Sequence, residues 1–302
     1  ETVKDVDFVV SANEPQVISD AFVAHPAVAE ITAQGETKSS VRLNNGMQVD
    51  LRVVPDGEFP YILHHFTGNK EHNVALRARA QGQGLKINEY GLYRGKERVE
   101  CVDETAFFAA MGLAYIPPEL REGLGEIEAA AENALPELLT AADIRGMLHV
   151  HSTYSDGADS IEAMALAVRE RGYDYLGMAD HSQAAAYAGG LNVDAVKRQW
   201  DEIARLNEKL APFRIFKGIE SDILGDGSLD YTDDILEQFE YIVVSVHSQF
   251  NLDRAKMTAR IIRAIEHPCA TIVGHLTGRL LLDREGYDVD VDQIIEAAAR
   301  CG

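Results

Sequence analysis

Metal-capable side chains recur at one kind of position through the second half of the chain. "MLHVHSTYSDG" carries His149 and His151 on an apolar strand pattern, with Asp156 in the turn that follows. "GMADHS", "KGIESDI", "VSVHSQF" and "VGHLTGR" then place Asp180-His181, Glu220, His247 and His275 where further apolar runs end. A single buried histidine is more often a hydrogen-bonded core residue than a ligand. Repetition of the same placement at successive strands is not accounted for that way. His149 and His151 are expected to project to one side of their strand, because strand side chains repeat every two residues. Imidazole plus carboxylate without thiolate suits Zn, Mn or Fe and excludes a cysteine-type structural zinc site. So many donors exceed the capacity of one ion and imply two or three, an arrangement suited to hydrolysis of phosphate esters.

The elements that must position these residues are legible as strand–helix repeats from Ile144 onward. Apolar runs predict strands near 147–150, 175–179, 215–219, 241–246 and 271–274, with helices over 160–171, 194–210 and 253–266. Continuous apolar strands alternating with helices predict a parallel sheet or barrel, whose strand C-termini converge on one face.

The first half has a second constellation. "KDVDFVV" puts Asp5 and Asp7 on one strand face, and "QVDLRVV" puts Asp50 on another short strand. If those strands are neighbours, three carboxylates converge, as in sites that hold two Mg²⁺ ions for in-line nucleotidyl transfer. The patterns predict strands over 6–10, 28–34, 40–43 and 47–54, helices over 16–24 and 70–81, and a helical connector after Pro117-Pro118.

Composition bounds the classes. The 302 residues are 46% hydrophobic and 25% charged, as in an ordinary globular protein. No apolar run approaches the ~18 residues of a membrane span, so no membrane partner is expected. The three cysteines, Cys101, Cys269 and Cys301, are scattered, which suits a reducing cytoplasm. A net charge of −21 argues against nucleic acid, yet residues 64–98 hold seven Lys or Arg against three Glu. The absence of an initiator Met and the helical pattern running to Gly302 lead us to expect a piece of a longer protein.

Taken in order, the second-half motifs resemble those of the polymerase-and-histidinol-phosphatase (PHP) family. The resemblance implies a distorted βα barrel, incomplete and TIM-like, with two to three Mn²⁺ or Zn²⁺ ions. It assigns His149, His151 and Glu220 to one ion. Glu220 bridges to a second with His247 and His275, and Asp156 and His181 serve a third. The family's closing Asp-x-His has no counterpart in the sequence, so weak metal binding is expected. "ETVKDVDFVV", "MQVDLRVV", "HHFTGNKEHNVALRARAQGQGLKINEYGLY" and "IPPELREGLGEIEAA" resemble the palm and thumb of a family X DNA polymerase, which in bacteria and archaea is joined to a PHP domain.

That resemblance implies an α/β and α+β chain with a nucleotidyltransferase-type palm (1–60), thumb (61–116), linker (117–143) and PHP domain (144–302). Asp5, Asp7 and Asp50 become catalytic Mg²⁺ ligands, with Asp50 the activator of the primer 3′-OH. His65, Phe66 and Gly68 lie where the incoming sugar sits, with His65 in place of the family's usual Tyr. Asn73 and Arg77 lie near the nascent base pair and template. His64 and His72 are expected in loops or at the surface. The family's Gly-Ser-x-Arg-Arg triphosphate element is absent, so poor polymerisation is expected. The partners implied are gapped or 3′-ended DNA and deoxynucleoside triphosphates, acted on by a monomer in repair, with 3′–5′ exonuclease-like trimming by the barrel. Two alternatives stand beside this: a stand-alone PHP phosphatase acting on a small ester, and a disabled DNA-end scaffold.

Overall fold

The computed structural model describes residues 3–302, and the chain divides into two compact units, Glu1–Leu138 and Leu139–Gly302. The first unit runs β1 (Asp5–Ser11), α1 (Pro15–Val23), β2 (Val28–Gln34), β3 (Lys38–Leu43), β4 (Gln48–Val54), α2 (Phe59–Thr67), α3 (Lys70–Gly82), β5 (Leu85–Asn88), β6 (Gly91–Arg94), β7 (Glu97–Val99), α4 (Glu104–Ala109) and α5 (Glu126–Ala131). Its larger sheet has the order β1-β4-β3-β2, with β1 parallel to β4 and the other pairs antiparallel. β5, β6 and β7 form a small antiparallel sheet. Alternation fits the two-sided sheet: in β4, Val49, Leu51 and Val53 are buried while Gln48, Asp50 and Arg52, which alternate with them, are half-exposed.

Residues 117–138 do not behave as a linker. Ile116, Ile127 and Ala130 are buried in one apolar cluster with Tyr61, Leu76, Phe107 and Phe108, so this stretch completes the core of the first unit. The Glu/Ala-rich run is helical only over α5, because Gly125 at φ 102° and Asn133 at φ 54° bound it.

The second unit runs β8 (Gly146–Val150), α6 (Ile161–Glu170), β9 (Tyr175–Met178), α7 (Val193–Leu210), β10 (Arg214–Asp222), α8 (Asp233–Leu236), β11 (Tyr241–Ser245), α9 (Arg254–Ile265), β12 (Ile272–Val273) and α10 (Val291–Cys301). All neighbouring pairs in the order β12-β11-β10-β9-β8 are parallel, giving a curled half-barrel sheet built in sequence order. Helical periodicity explains its cover: α7 buries Val196, Gln199, Ile203, Leu206 and Leu210 at spacings of three and four. Asn192 caps it, accepting from Ala195 N–H at 2.9 Å.

His64 and His72 are neither loop nor surface residues. They lie in α2 and α3 at 2% and 0% exposure, beside Phe107 and Phe108, because α2 and α3 pair these faces across the core. His72 donates from Nδ1 to Glu126 Oε1 at 2.6 Å, leaving its Nε2 to accept from His64 Nε2 at 3.2 Å. Burial, with Arg121 nearby, depresses His64 to about 2 from an ordinary 6.5; burial also lowers His72, against the pull of Glu126. The unfolded chain therefore binds protons here that the folded chain refuses. Stability is full above about pH 6.5 and falls with acid by up to ~1.4 kcal/mol per pH unit per histidine. Thermal melts from pH 7.5 to 5 should show this loss, and His64→Phe should make the dependence shallower. An unchanged slope contradicts it.

Candidate metal centre

β10 ends inside the protein: Gly218 through Asp222 are all buried, so its carboxylate Glu220, 1% exposed, is delivered to the C-terminal edge of the sheet. Five imidazoles surround that carboxylate. Oε1 lies 3.1 Å from His149 Nε2, 3.3 Å from His247 Nε2 and 3.1 Å from His275 Nε2. Oε2 lies 3.4 Å from His151 Nε2 and 3.1 Å from His181 Nδ1. Asp156 stands at the rim, 3.1 Å from His151 Nδ1 and 3.5 Å from His181 Nε2. Burial alone would raise the Glu220 pKa, but the hydrogen bonds from His149, His247 and His275 hold it far below the usual carboxylate range.

Donor atoms within 4.8 Å of one another form three sets: His149/His151/Glu220, His151/Asp156/His181 and His181/Glu220/His247. A cation fits this donor set on two counts. His181 Nδ1 is buried and, although 3.1 Å from Glu220 Oε2, makes no aligned hydrogen bond among the described residues. His247 Nε2 and His275 Nε2 face each other at 3.2 Å, where at most one can donate to the other. His247 has a further partner, Asp222, on its Nδ1 at 2.5 Å. Burial opposes charge on His247, but Asp222 and Glu220 outweigh it and raise its pKa to about 9. Such an outer carboxylate fixes the ring so that Nε2 faces the site. Asp222 was open to the sequence: it sits two residues beyond Glu220 and so shares its strand face.

The expected period-two placement of His149 and His151 is not how they meet. His149 has φ 58°, in the left-handed region, and the β8–β9 register shifts between Met147 and Val150. His151 lies just past the strand end. The distortion is held from below by Tyr241, whose hydroxyl donates to Met178 O at 2.7 Å and accepts from His149 N–H at 3.4 Å. Room for this ring exists because positions 177 and 218 are glycine: an added Cβ would come 2.6 Å from the Tyr241 oxygen at the first and 2.3 Å from its ring at the second. From above, buried Asp180 grips the loop that carries His151 and Asp156. It accepts from Ser152 N–H at 2.7 Å, Ser152 Oγ at 2.8 Å and Ser155 Oγ at 2.5 Å, and from Gln199 Nε2 at 2.6 Å. Neither Tyr241 nor Asp180's supporting role has a local sequence signal, since both depend on packing between distant strands. The mouth of the cavity adds Tyr187, Phe250, Arg279, Leu280 and Arg284.

In the first unit, Asp7 and Asp50 are register partners on the parallel pair β1–β4, and Asp5 faces Gln48. Burial, then the charges of Asp50 and Asp5, raise the Asp7 pKa; hydrogen bonds from Gln48 and Ser40, with Lys38, lower that of Asp50. The mutual repulsion suits a cation. The three carboxylates are nevertheless absent from the close donor sets found among the described residues, because Asp5 lies a full strand repeat from the Asp7–Asp50 pair. His65, Asn73 and Arg77 do come together. Asn73 Nδ2 donates to His65 O at 2.9 Å and Gly68 O at 3.3 Å, and Arg77 approaches His65 Nδ1 at 3.2 Å. Burial and Arg77 keep His65 below its ordinary pKa, and Arg52 lies over the Phe66 ring at 5.6 Å. Gly68 has a packing reason of its own, since an added Cβ would meet the buried His72 ring at 3.0 Å.

A family model described as the DNA polymerase beta thumb matches residues 62–122, and one described as the PHP domain matches residues 147–301. The DNA polymerase/3′-5′ exonuclease PolX of Bacillus subtilis is 41% identical over 308 residues, covering 99% of this chain and 53% of that protein. A probable phosphatase of Syntrophotalea carbinolica is 27% identical over 161 residues, covering 51% of this chain and 61% of its own. Human DNA-directed DNA/RNA polymerase mu is 35% identical over 78 residues, 25% of this chain and 16% of that protein. The chain thus spans about half to three-fifths of the length of the first two relatives.

Tyr241→Phe keeps the ring and removes the hydroxyl that pins His149. Mn²⁺ affinity, measured by titration calorimetry, should fall by about tenfold, the lower end for outer partners of metal ligands. Stability should fall by only about 1 kcal/mol. Wild-type affinity in this variant would show that the hydroxyl does not position His149.

Proposed function

We propose that this chain, which belongs to the PHP domain family and to the family X DNA polymerases that carry such a domain, trims and extends DNA 3′ ends in repair. The observation that carries the reading is the convergence of five imidazoles on buried Glu220 at the sheet's C-terminal edge. Divalent ions, Mn²⁺ or Zn²⁺, would supply Lewis acidity and an activated water for phosphodiester hydrolysis. His149, His151 and Glu220 would hold one, Glu220 with His247 and His275 a second, and Asp156 with His181 a third. Asp222 and Asp180 keep these groups aimed, and Arg279 at the mouth can pair with a phosphate oxygen.

In the first unit, Asp5, Asp7 and Asp50 would hold Mg²⁺ for nucleotidyl transfer, with Asp50 taking the primer 3′-OH proton. The lowered pKa of Asp50 keeps it ionised, as a metal ligand must be, beside the raised Asp7. His65, Phe66 and Gly68 would lie along the incoming sugar, and Asn73 and Arg77 beside the nascent pair and template. Arg52 and Arg77 flank this cluster and make it locally cationic. The substrates are then DNA with gapped or 3′-recessed ends and deoxynucleoside triphosphates.

The likeness of the second unit to a probable phosphatase favours one other reading, hydrolysis of a small phosphomonoester. A Mn²⁺ assay comparing 3′-recessed DNA with p-nitrophenyl phosphate separates the two. The repair reading predicts preference for DNA and a loss of at least ~100-fold in hydrolysis on Glu220→Gln, no less than the upper end for outer partners of metal ligands. Nucleotide incorporation, slow in this chain without the Gly-Ser-x-Arg-Arg element, should be abolished by Asp50→Ala, with trimming intact. Preference for the monoester, or trimming lost with Asp50, overturns it.

A further inference from the structure

The turn beyond the last strand carries the least economical surface in the second unit. Leu280, Leu281 and Leu282 are exposed at 49%, 52% and 96%, so folding gains little from three consecutive leucines. The turn is nonetheless braced. Leu280 and Arg284 exchange backbone hydrogen bonds of 2.9 Å each, and Asp283 N–H donates to Leu280 O at 3.1 Å. Arg284 donates from Nε and Nη2 to Gly278 O at 3.0 and 2.7 Å, closing the base of the turn. Its guanidinium lies 4.0 Å over the Phe250 ring, which stacks on Tyr287 at 6.0 Å. Leu282, at φ 66°, stands at the tip in a conformation uncommon for a leucine.

This turn borders the metal pocket directly, since Arg279, Leu280 and Arg284 line it together with the histidines. Arg279 is exposed and has no carboxylate or hydrogen-bond acceptor among the described residues. A cation beside a phosphate-cleaving centre, followed at once by an apolar tip, matches the alternation of phosphate and base along a nucleic acid strand. A small phosphate ester has nothing to lay against the leucines. Apolar side chains inserted at a base step are a known means of unstacking DNA, and unpairing must precede cleavage if the terminal phosphodiester is to reach a recessed pocket.

We propose that the Arg279–Arg284 turn is a wedge: Leu281 and Leu282 unstack the terminal base pair of a DNA 3′ end while Arg279 receives the phosphate behind it. This deepens the repair reading and rests on it. The test uses the full chain with a duplex bearing 2-aminopurine at its 3′-terminal pair, at low salt in EDTA, so that binding is read without hydrolysis. Fluorescence should rise on binding to the wild type and rise less than half as much with L281S/L282S. With Mn²⁺, that variant should trim a fully paired 3′ end about tenfold more slowly and a mismatched, frayed 3′ end at the wild-type rate.

Equal fluorescence in both proteins, or equal loss on paired and frayed ends, overturns the wedge while leaving 3′-end trimming in place. So does a wild-type dimer that the double substitution dissociates, because the leucines would then cover a second copy. A wild type that cleaves p-nitrophenyl phosphate and leaves both DNA ends intact defeats the underlying reading instead.

Discussion

A buried carboxylate at the end of a buried strand governs the second unit. Placing Glu220 at 1% exposure carries a desolvation penalty of several kcal/mol unless charge and hydrogen bonds return it. The return comes from imidazoles that arrive on four other strands or the loops just beyond them, so the site exists only when the sheet order β12-β11-β10-β9-β8 is complete. β10 is the central strand of that order, which puts its carboxylate within reach of groups from both sides. Fold and centre are therefore one problem: a strand shifted by one residue would turn Glu220 away and leave five histidines facing each other.

The supporting groups make the same point at finer scale. Tyr241 occupies space that two glycines leave open and holds His149 in a left-handed conformation from beneath. Asp180 fixes the loop bearing His151 and Asp156 through two serines, and Asp222 fixes the ring of His247. In the first unit the corresponding constraint is the β1–β4 register that sets Asp7 against Asp50, while the buried His64–His72–Glu126 chain ties α2 and α3 to α5.

How much of this can be read from sequence follows from the range of the cause. Strand–helix alternation and the placement of His149, His151, His181, Glu220, His247 and His275 are visible because parallel strands of one sheet end on one face whatever their loops do. The curled half-barrel and the polymerase-beta-type thumb agree with that reading. The left-handed turn at His149 is invisible, since the hydroxyl that meets its N–H lies 92 residues away. His64 and His72 read as surface because histidine is polar, yet each supplies the partner the other needs in a core. Pro117-Pro118 reads as the start of a linker, but prolines end regular structure without ending packing, and Ile127 still reaches the core. Gly68 and Asn73 show a further mixing of roles, because both have packing or hydrogen-bonding reasons to be what they are before any substrate is considered.

Everything proposed for the second unit requires Glu220 to be the shared carboxylate of a multi-ion centre. Anomalous diffraction from Mn²⁺-soaked crystals at the manganese edge tests it most directly. At least two peaks are expected, with Glu220 common to both, one toward His149 and His151 and one toward His247 and His275. A single peak that does not touch Glu220, or ions bound only at surface acids, would contradict it.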